Sequence, residues 1–351
     1  MTRPRFSVVV PTFNRRDALE RTLGAYERQV ASTPPFEVLV VDDGSTDGTA
    51  EWLAGFSSRT FSHQVFRQPN LGPAAARNRA LRAATGEIIF FTGDDIEPEA
   101  DLLVRHDAAQ SSSPGEATAY FGRIDWPADL EATATMLHIT GRGAQQFSFY
   151  YLEDGAYYDY RHFYTSNVSI PRAVLDREPN YFSEEFPSAA FEDAELAYRL
   201  SRHGLRLRYL PAARAYHWHH YGARSFFARQ VRCGEMAGLL IGKHPATRRD
   251  LDLNLLPWTR LRSLAVQWLG SGRLRALARQ LPERIEAALT LAEHLDRGSV
   301  ESAEPLLLPL FRFGFLAGVA HGRYSAGVAR RVEAALFARI LGRPLAQHRV
   351  A

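Results

Sequence analysis

Several short polar stretches of this 351-residue chain hold the residue types that metal, phosphate and acid–base chemistry require. Gly93-Asp94-Asp95 directly follows the apolar run Ile88-Ile89-Phe90-Phe91. Two adjacent carboxylates at the end of a buried strand supply the hard oxygen ligands that Mg2+ or Mn2+ needs when it carries a nucleotide diphosphate. The same pair could instead start a turn, with Asp95 as a helix cap. Thr12 and Asn14 follow a second apolar run, Phe6 to Val10, and Asp42 and Asp43 follow a third, Phe36 to Val41. Glu192, Asp193 and Glu195 crowd the start of a helical pattern built on Leu196, Ala197 and Leu200, where acids often only complement the helix dipole. In Tyr216-His217-Trp218-His219-His220, a strand would put His217 and His219 on one side and Trp218 and His220 on the other. No cysteine or other spaced ligand pair supports zinc there, and a cluster of satisfied polar histidines is the structural alternative.

The elements that must position these residues alternate. Phe6–Val10 is a continuous apolar run, as in a strand covered on both faces. Leu19, Leu23, Tyr26 and Val30 then recur at near-helical spacing behind Asp17, and Pro34-Pro35 breaks the chain before the strand at Phe36–Val41. A short helix is expected around Ala50–Leu53, a strand at Gln64–Phe66, and an alanine-rich helix over 73–85 that Gly86 stops. Strands and helices in this alternation predict a doubly wound, mostly parallel sheet, in which the polar strand ends converge on one crevice. Neither G-x-G-x-x-G nor a Walker A loop follows the first strand, so phosphates would be held by metal and side chains.

These residues carry a resemblance. Val8–Arg15, Val40–Asp47, Gly72–Asn78 and the Gly93-Asp94-Asp95 stretch resemble the successive signatures of family 2 glycosyltransferases, over roughly residues 6–240. The resemblance implies a GT-A fold (Rossmann-like, with helices flanking a mostly parallel central sheet). It also implies a nucleotide-sugar donor, most simply a UDP-sugar, a divalent metal (Mn2+ or Mg2+), and inversion at the anomeric carbon. By that resemblance Pro11, Thr12, Asn14, Arg15, Asp42, Asp43, Arg77, Asn78 and Asp94 surround the nucleotide sugar. Asp95 is the metal ligand, assisted by Asp94 and His217, with His219 in reserve. Family members commonly carry three acids where this chain has Gly93-Asp94-Asp95. Inverting transfer needs one carboxylate to take the acceptor proton. The family's base motif matches Glu192-Asp193, which gives Asp193 as the base and Glu192 as its neighbour.

Beyond the base, residues 125–165 are irregular and aromatic, suited either to sugar stacking or to covering a core. The expected domain spans residues 1–243, with a nucleotide-sugar half over 1–115 and an acceptor and catalytic half over 116–243. A helical C-terminal extension follows over 244–351, with helices at 260–269, 274–295, 306–320 and 326–341. Residues 306–316 are apolar enough for a buried helix, an interfacial helix being the alternative. One cysteine, Cys233, fits a reducing compartment. With no signal-like opening and no apolar run of ~18 residues, a cytoplasmic protein is expected. Residues 1–200 hold 18 basic and 29 acidic groups, and residues 201–351 hold 24 and 10. The basic part could contact the cytoplasmic membrane face peripherally, or reflect only a general preference for arginine. The expected partners are the donor and a glycan, lipid-linked or other hydroxyl acceptor, without nucleic acid. The competing readings are a silent nucleotide-sugar-binding protein and a sugar nucleotidyltransferase.

Overall fold

A computed structural model describes residues 3–251 and 272–323. The helices expected at 260–269 and 326–341 lie outside the described residues. In chain order the elements are β1 (Phe6–Thr12), α1 (Arg16–Glu27), β2 (Phe36–Asp42), α2 (Thr49–Gly55), β3 (Ser62–Arg67), α3 (Pro73–Ala83), β4 (Ile88–Thr92) and β5 (Ile96–Pro98). There follow α4 (Leu102–Ser112), β6 (Thr118–Asp125), α5 (Ala134–Thr140), β7 (Tyr157–Tyr158), β8 (Asn167–Pro171), α6 (Arg172–Leu175), α7 (Glu192–Ser201), β9 (Arg206–His217) and α8 (Ala223–Lys243). Two further helices are α9 (Gly272–Leu295) and α10 (Val300–Arg323).

The chain divides into two compact units, residues 1–131 with 140–220, and residues 132–139 with 221–351. The first contains a nine-stranded sheet in the order β3-β2-β1-β4-β8-β6-β9-β5, with β7 pairing on β9. Strands β3, β2, β1 and β4 are parallel neighbours, as the alternation with helices predicts. β8 enters antiparallel between β4 and β6, and the short β5 pairs antiparallel with the end of β9.

The continuous apolar runs feed two cores at once. Val9, Leu39, Val41, Ile89 and Phe91 face α3 and α7, whereas Val8, Val10, Val38, Val40, Ile88 and Phe90 face α1 and α4. Both faces of these strands are therefore dry, and periodicity two disappears from the sequence.

A buried polar knot joins the parallel half to the mixed half. His106 of α4 bonds Ser169 Oγ through Nδ1 and Asn167 Oδ1 through Nε2, each at 2.9 Å. Asn167 donates onward to the carbonyls of Arg123 (3.2 Å) and Ala213 (3.0 Å). Burial pushes the His106 imidazole down to about 4, so it stays neutral and serves as a fixed hydrogen-bonding post. Gly122 lies at the register shift between β6 and β9, where a Cβ would run into Ala213 O and the Asn167 amide.

In the second unit Asp296 caps two helices. Its Oδ1 accepts from Thr135 N at 2.9 Å and its Oδ2 from Ala223 N at 2.7 Å. α8 and α10 pack backbone to backbone, since a Cβ on Gly234 would collide with Phe315 O and one on Gly318 with Val231 O. Among the described residues, Val300–Val319 of α10 is long and apolar enough to cross a membrane by length and composition, and 39% of that window is buried.

Candidate active site and metal centre

Because β1, β2 and β4 are adjacent and parallel, Thr12, Asp42 and Asp94-Asp95 emerge side by side at their carboxyl ends. Histidines reach the same edge by a different route. β5 starts immediately after Asp95 and pairs with the end of β9 so that Ile96 opposes His217. Trp218 N donates to Asp95 O at 2.8 Å, which locks the register. Alternation then sends His217 and His219 toward the Asp95 carboxylate, with His217 Nε2 at 3.2 Å and His219 Nδ1 at 3.6 Å from Oδ2. Trp218 points the other way, donating its indole N–H to Glu97 at 2.5 Å while the Arg21 guanidinium lies 3.7 Å over its ring.

One ligand atom from each of Asp95, His217 and His219 lies within 4.8 Å of the others. Burial opposes charge on Asp95, but His217, His219 and Arg15 outweigh it and hold the carboxyl well below the usual range. The carboxylate is thus already in its ligating form. Burial pushes the His219 imidazole down despite Asp95, which favours the neutral ring a metal requires. Asp94 differs from its neighbour. Burial first, and the Asp95 charge second, push it up to about 7, against Arg15 and the hydrogen bond from Thr12 Oγ1 (2.8 Å). Arg15 ion-pairs with Asp95 and lies 3.5 Å from Asp94 Oδ1. Two imidazoles and one carboxylate suit a first-row divalent ion such as Mn2+ better than Mg2+, which prefers an all-oxygen shell.

The sites on β1, β2 and α3 divide into two groups. Asp42 accepts from Ser45 N (2.8 Å) through Oδ1, while among the described residues its buried Oδ2 has no hydrogen-bond partner, Arg67 Nε standing 3.5 Å away. Asn14, at φ 53°, donates its N–H to Ser45 Oγ (2.9 Å) and accepts from Thr46 N (2.7 Å), joining the β1 and β2 loops. Pro11 is half-buried within β1, opposite Val41. Asp43, by contrast, commits its oxygens to the fold. Its Oδ1 accepts from Gln68 Nε2 (2.8 Å) and Leu71 N (3.0 Å), and its Oδ2 from Gly72 N (2.8 Å). Asn78 likewise brackets Phe182, donating to its carbonyl and accepting from its N–H, each at 2.9 Å.

Asp193 stands in the first turn of α7, half-buried, with Oδ1 accepting from Ala194 N at 2.8 Å and a further hydrogen bond from the Thr165 backbone. Burial, then the charge of Glu192, push its carboxyl up to about 7, while Arg77 pulls it down. Glu192 itself turns inward and pairs with Arg77 Nη1 at 2.8 Å, the two groups 2% and 6% exposed. The acids at the start of α7 therefore do more than complement its dipole.

The aromatic segment expected over 125–165 supplies a wall behind the histidine cluster, a contact with His217 that its composition alone does not reveal. Trp126 stacks on His217 at 5.3 Å and 19°, and Phe147 meets it edge-on at 5.4 Å. Phe147 also abuts Tyr164 at 5.8 Å, and the next residue, Thr165, holds Asp193. The signal in the sequence is the density of aromatic residues over 125–165.

Residues 7–113 match the family described as Glycosyl transferase family 2. The validoxylamine A glucosyltransferase of Streptomyces hygroscopicus subsp. jinggangensis (strain 5008) is 31% identical over 240 residues, covering 58% of this chain and 52% of that protein. The pre-mycofactocin glycosyltransferase of Mycobacterium tuberculosis (strain ATCC 25618 / H37Rv) is 28% identical over 298 residues, covering 82% of this chain and 58% of that protein. The chain spans about half the length of the curated relatives it matches. A mannosyltransferase from Pyrobaculum calidifontis, solved in complex with GDP-Man and Mn2+, shares the fold at a TM-score of 0.58 and 21% identity, covering 93% of this chain and 89% of that one. The expected GT-A fold with C-terminal helices is the fold observed.

Proposed function

The chain belongs to glycosyltransferase family 2, and from that premise we propose that it is a metal-dependent, inverting glycosyltransferase moving a sugar from a UDP-sugar to an acceptor hydroxyl. The observation that carries this reading is the Asp95–His217–His219 cluster beside Asp94, Thr12 and Asp42 on one sheet edge. Asp95, His217 and His219 would hold a Mn2+ ion, which when bound neutralises charge on the leaving diphosphate.

The protein groups supply the rest. Asp42 Oδ2, which takes no hydrogen bond in the fold although Arg67 stands beside it, accepts one from the nucleoside, and Asn14 shapes the loop that receives it. Arg15, held at the two carboxylates, donates to the diphosphate. Asp193 accepts the acceptor proton as that oxygen bonds to the anomeric carbon and the bond from that carbon to the diphosphate oxygen breaks. A base poised at about 7 is ionised over a useful fraction of the population and still basic enough to take the proton. One carboxylate suffices, because displacement in a single step forms no covalent intermediate.

A thermal-shift series on the whole chain with UDP-, GDP- and dTDP-sugars, each with Mn2+, with Mg2+ and with chelator, tests the donor site. Stabilisation of about 2.7 kcal/mol is expected at a hundredfold excess over Kd, for the UDP-sugar with Mn2+. A shift that survives chelation would remove the metal from the reading, and no shift with any nucleotide sugar would remove the donor.

A further inference from the structure

The aromatic segment that follows β6 sorts into buried and open rings. Phe149, Tyr160 and Phe163 are core residues, and Phe147, Tyr158 and Tyr164 are partly buried against that core. Among the described residues of this segment, the large exposed rings are Tyr150 (66% exposed), Tyr151 (49%) and Tyr157 (47%). Tyr157 is already engaged, with the guanidinium groups of Arg206 and Arg208 lying 4.5 and 5.7 Å from its ring centre. Tyr150 and Tyr151 instead meet each other at 5.3 Å and 83°, forming an open corner of two nearly perpendicular phenols.

The Tyr151 side of that corner is held in place. Tyr151 Oη lies 3.4 Å from His162 Nε2, and His162 Nδ1 lies 3.5 Å from Asp159 Oδ1. Asp159 is further fixed by Arg161 at 2.6 Å, so these two charges beside the corner pair with each other. The corner also connects to the base. The Tyr151 ring lies 6.4 Å from His162, His162 lies 5.9 Å from Tyr164, and the backbone of the following Thr165 holds Asp193. A solvent-facing tyrosine with no role would not need a histidine and a carboxylate to orient it.

We infer that Tyr150 and Tyr151 form an acceptor subsite for a neutral pyranose ring, the ring next to the one whose hydroxyl is attacked. This rests on the transferase reading above and adds the acceptor class, a neutral oligosaccharide. A pyranose presents axial C–H groups on its faces and hydroxyls around its rim. The C–H face complements the negative face of a phenol, and the perpendicular phenol with its Oη meets the rim. The Arg161 guanidinium beside the corner is spent on Asp159, which disfavours an anionic ligand that would need an open cation.

The test uses the full chain and three probes, cellotetraose, chitotetraose and maltotetraose, with binding read by titration calorimetry and by saturation transfer to the sugar protons. At least one probe should bind the wild-type chain. The double variant Tyr150→Ala with Tyr151→Ala should weaken that binding about tenfold or more, and the double Phe variant, which keeps both rings, should stay within about threefold. UDP-sugar hydrolysis with Mn2+ is measured on the same samples and should be equal in all three proteins, because it needs no acceptor subsite. Absence of binding by every probe, or binding unchanged in the Ala variant, overturns the subsite. Probe binding lost in the Ala variant, with no hydrolysis of any nucleotide sugar by the wild type, supports the subsite and defeats the transferase reading instead.

Discussion

Replacing Asp193 by Asn separates catalysis from stability in opposite directions. Its carboxyl is pushed up to about 7 by burial and by the Glu192 charge. Turnover should therefore fall about tenfold per pH unit below pH 7, as the proposed base becomes protonated. In Asp193→Asn the proposed base is gone at every pH, and loss of about 10²- to 10⁴-fold in kcat is expected, roughly 3–5 kcal/mol of barrier. The sign of the stability change runs the other way. A folded-state pKa above the unfolded value means the carboxyl is tolerated while protonated and becomes a burden as pH rises through 7. Removing the charge should leave the variant at least as stable as wild type at pH 8, by at most about 4 kcal/mol, with the difference vanishing near pH 4. The amide oxygen can still accept from Ala194 N and the Thr165 backbone, so no hydrogen bond is forfeited. The assays are UDP-sugar-dependent transfer across pH 5–9 and thermal melts of both proteins at pH 4 and pH 8. Asp94 is also pushed up to about 7, so Glu192→Gln provides the control. It removes the second push on Asp193 and should move the acidic limb downward, while Asp94 keeps its own neighbours. Wild-type turnover by the Asn variant, or a lower melting temperature at pH 8, would refute the reasoning.

Single replacements His217→Ala and His219→Ala should each weaken Mn2+ binding at least about 10- to 100-fold in calorimetric titrations, with the larger loss at the more buried His217. Equal affinity in both variants and wild type would place the ion elsewhere. Arg77→Met strands Glu192 in the interior and should cost about 3–5 kcal/mol in urea unfolding at pH 7, whereas Arg77→Met combined with Glu192→Leu should recover most of it. A single variant as stable as wild type would mean that the pair is not buried as described.

The sequence by itself determined the strand-end chemistry. Val8–Val10, Val38–Val41 and Ile88–Phe91 are strands because each feeds two dry cores, and the polar residues that end them follow from local turn preferences. Adjacency of Thr12, Asp42 and Asp94 then follows from the alternation of strands and helices, since right-handed parallel connections leave few other arrangements. Tertiary structure decided the rest. Asp42 and Asp43 are neighbours in the chain, yet Asp42 keeps one buried oxygen without a hydrogen bond, near Arg67, and Asp43 spends both oxygens on the loop at Gln68–Gly72. Arg77 meets Glu192 across 115 positions, and Tyr164 carries the aromatic wall to Asp193, through contacts that no local pattern encodes. The proposed metal site depends on a single register. With Ile96 opposite His217, two imidazoles face Asp95; a slip of one residue would present Trp218 in their place, because side chains alternate along a strand and only the partner strand decides which face is inward.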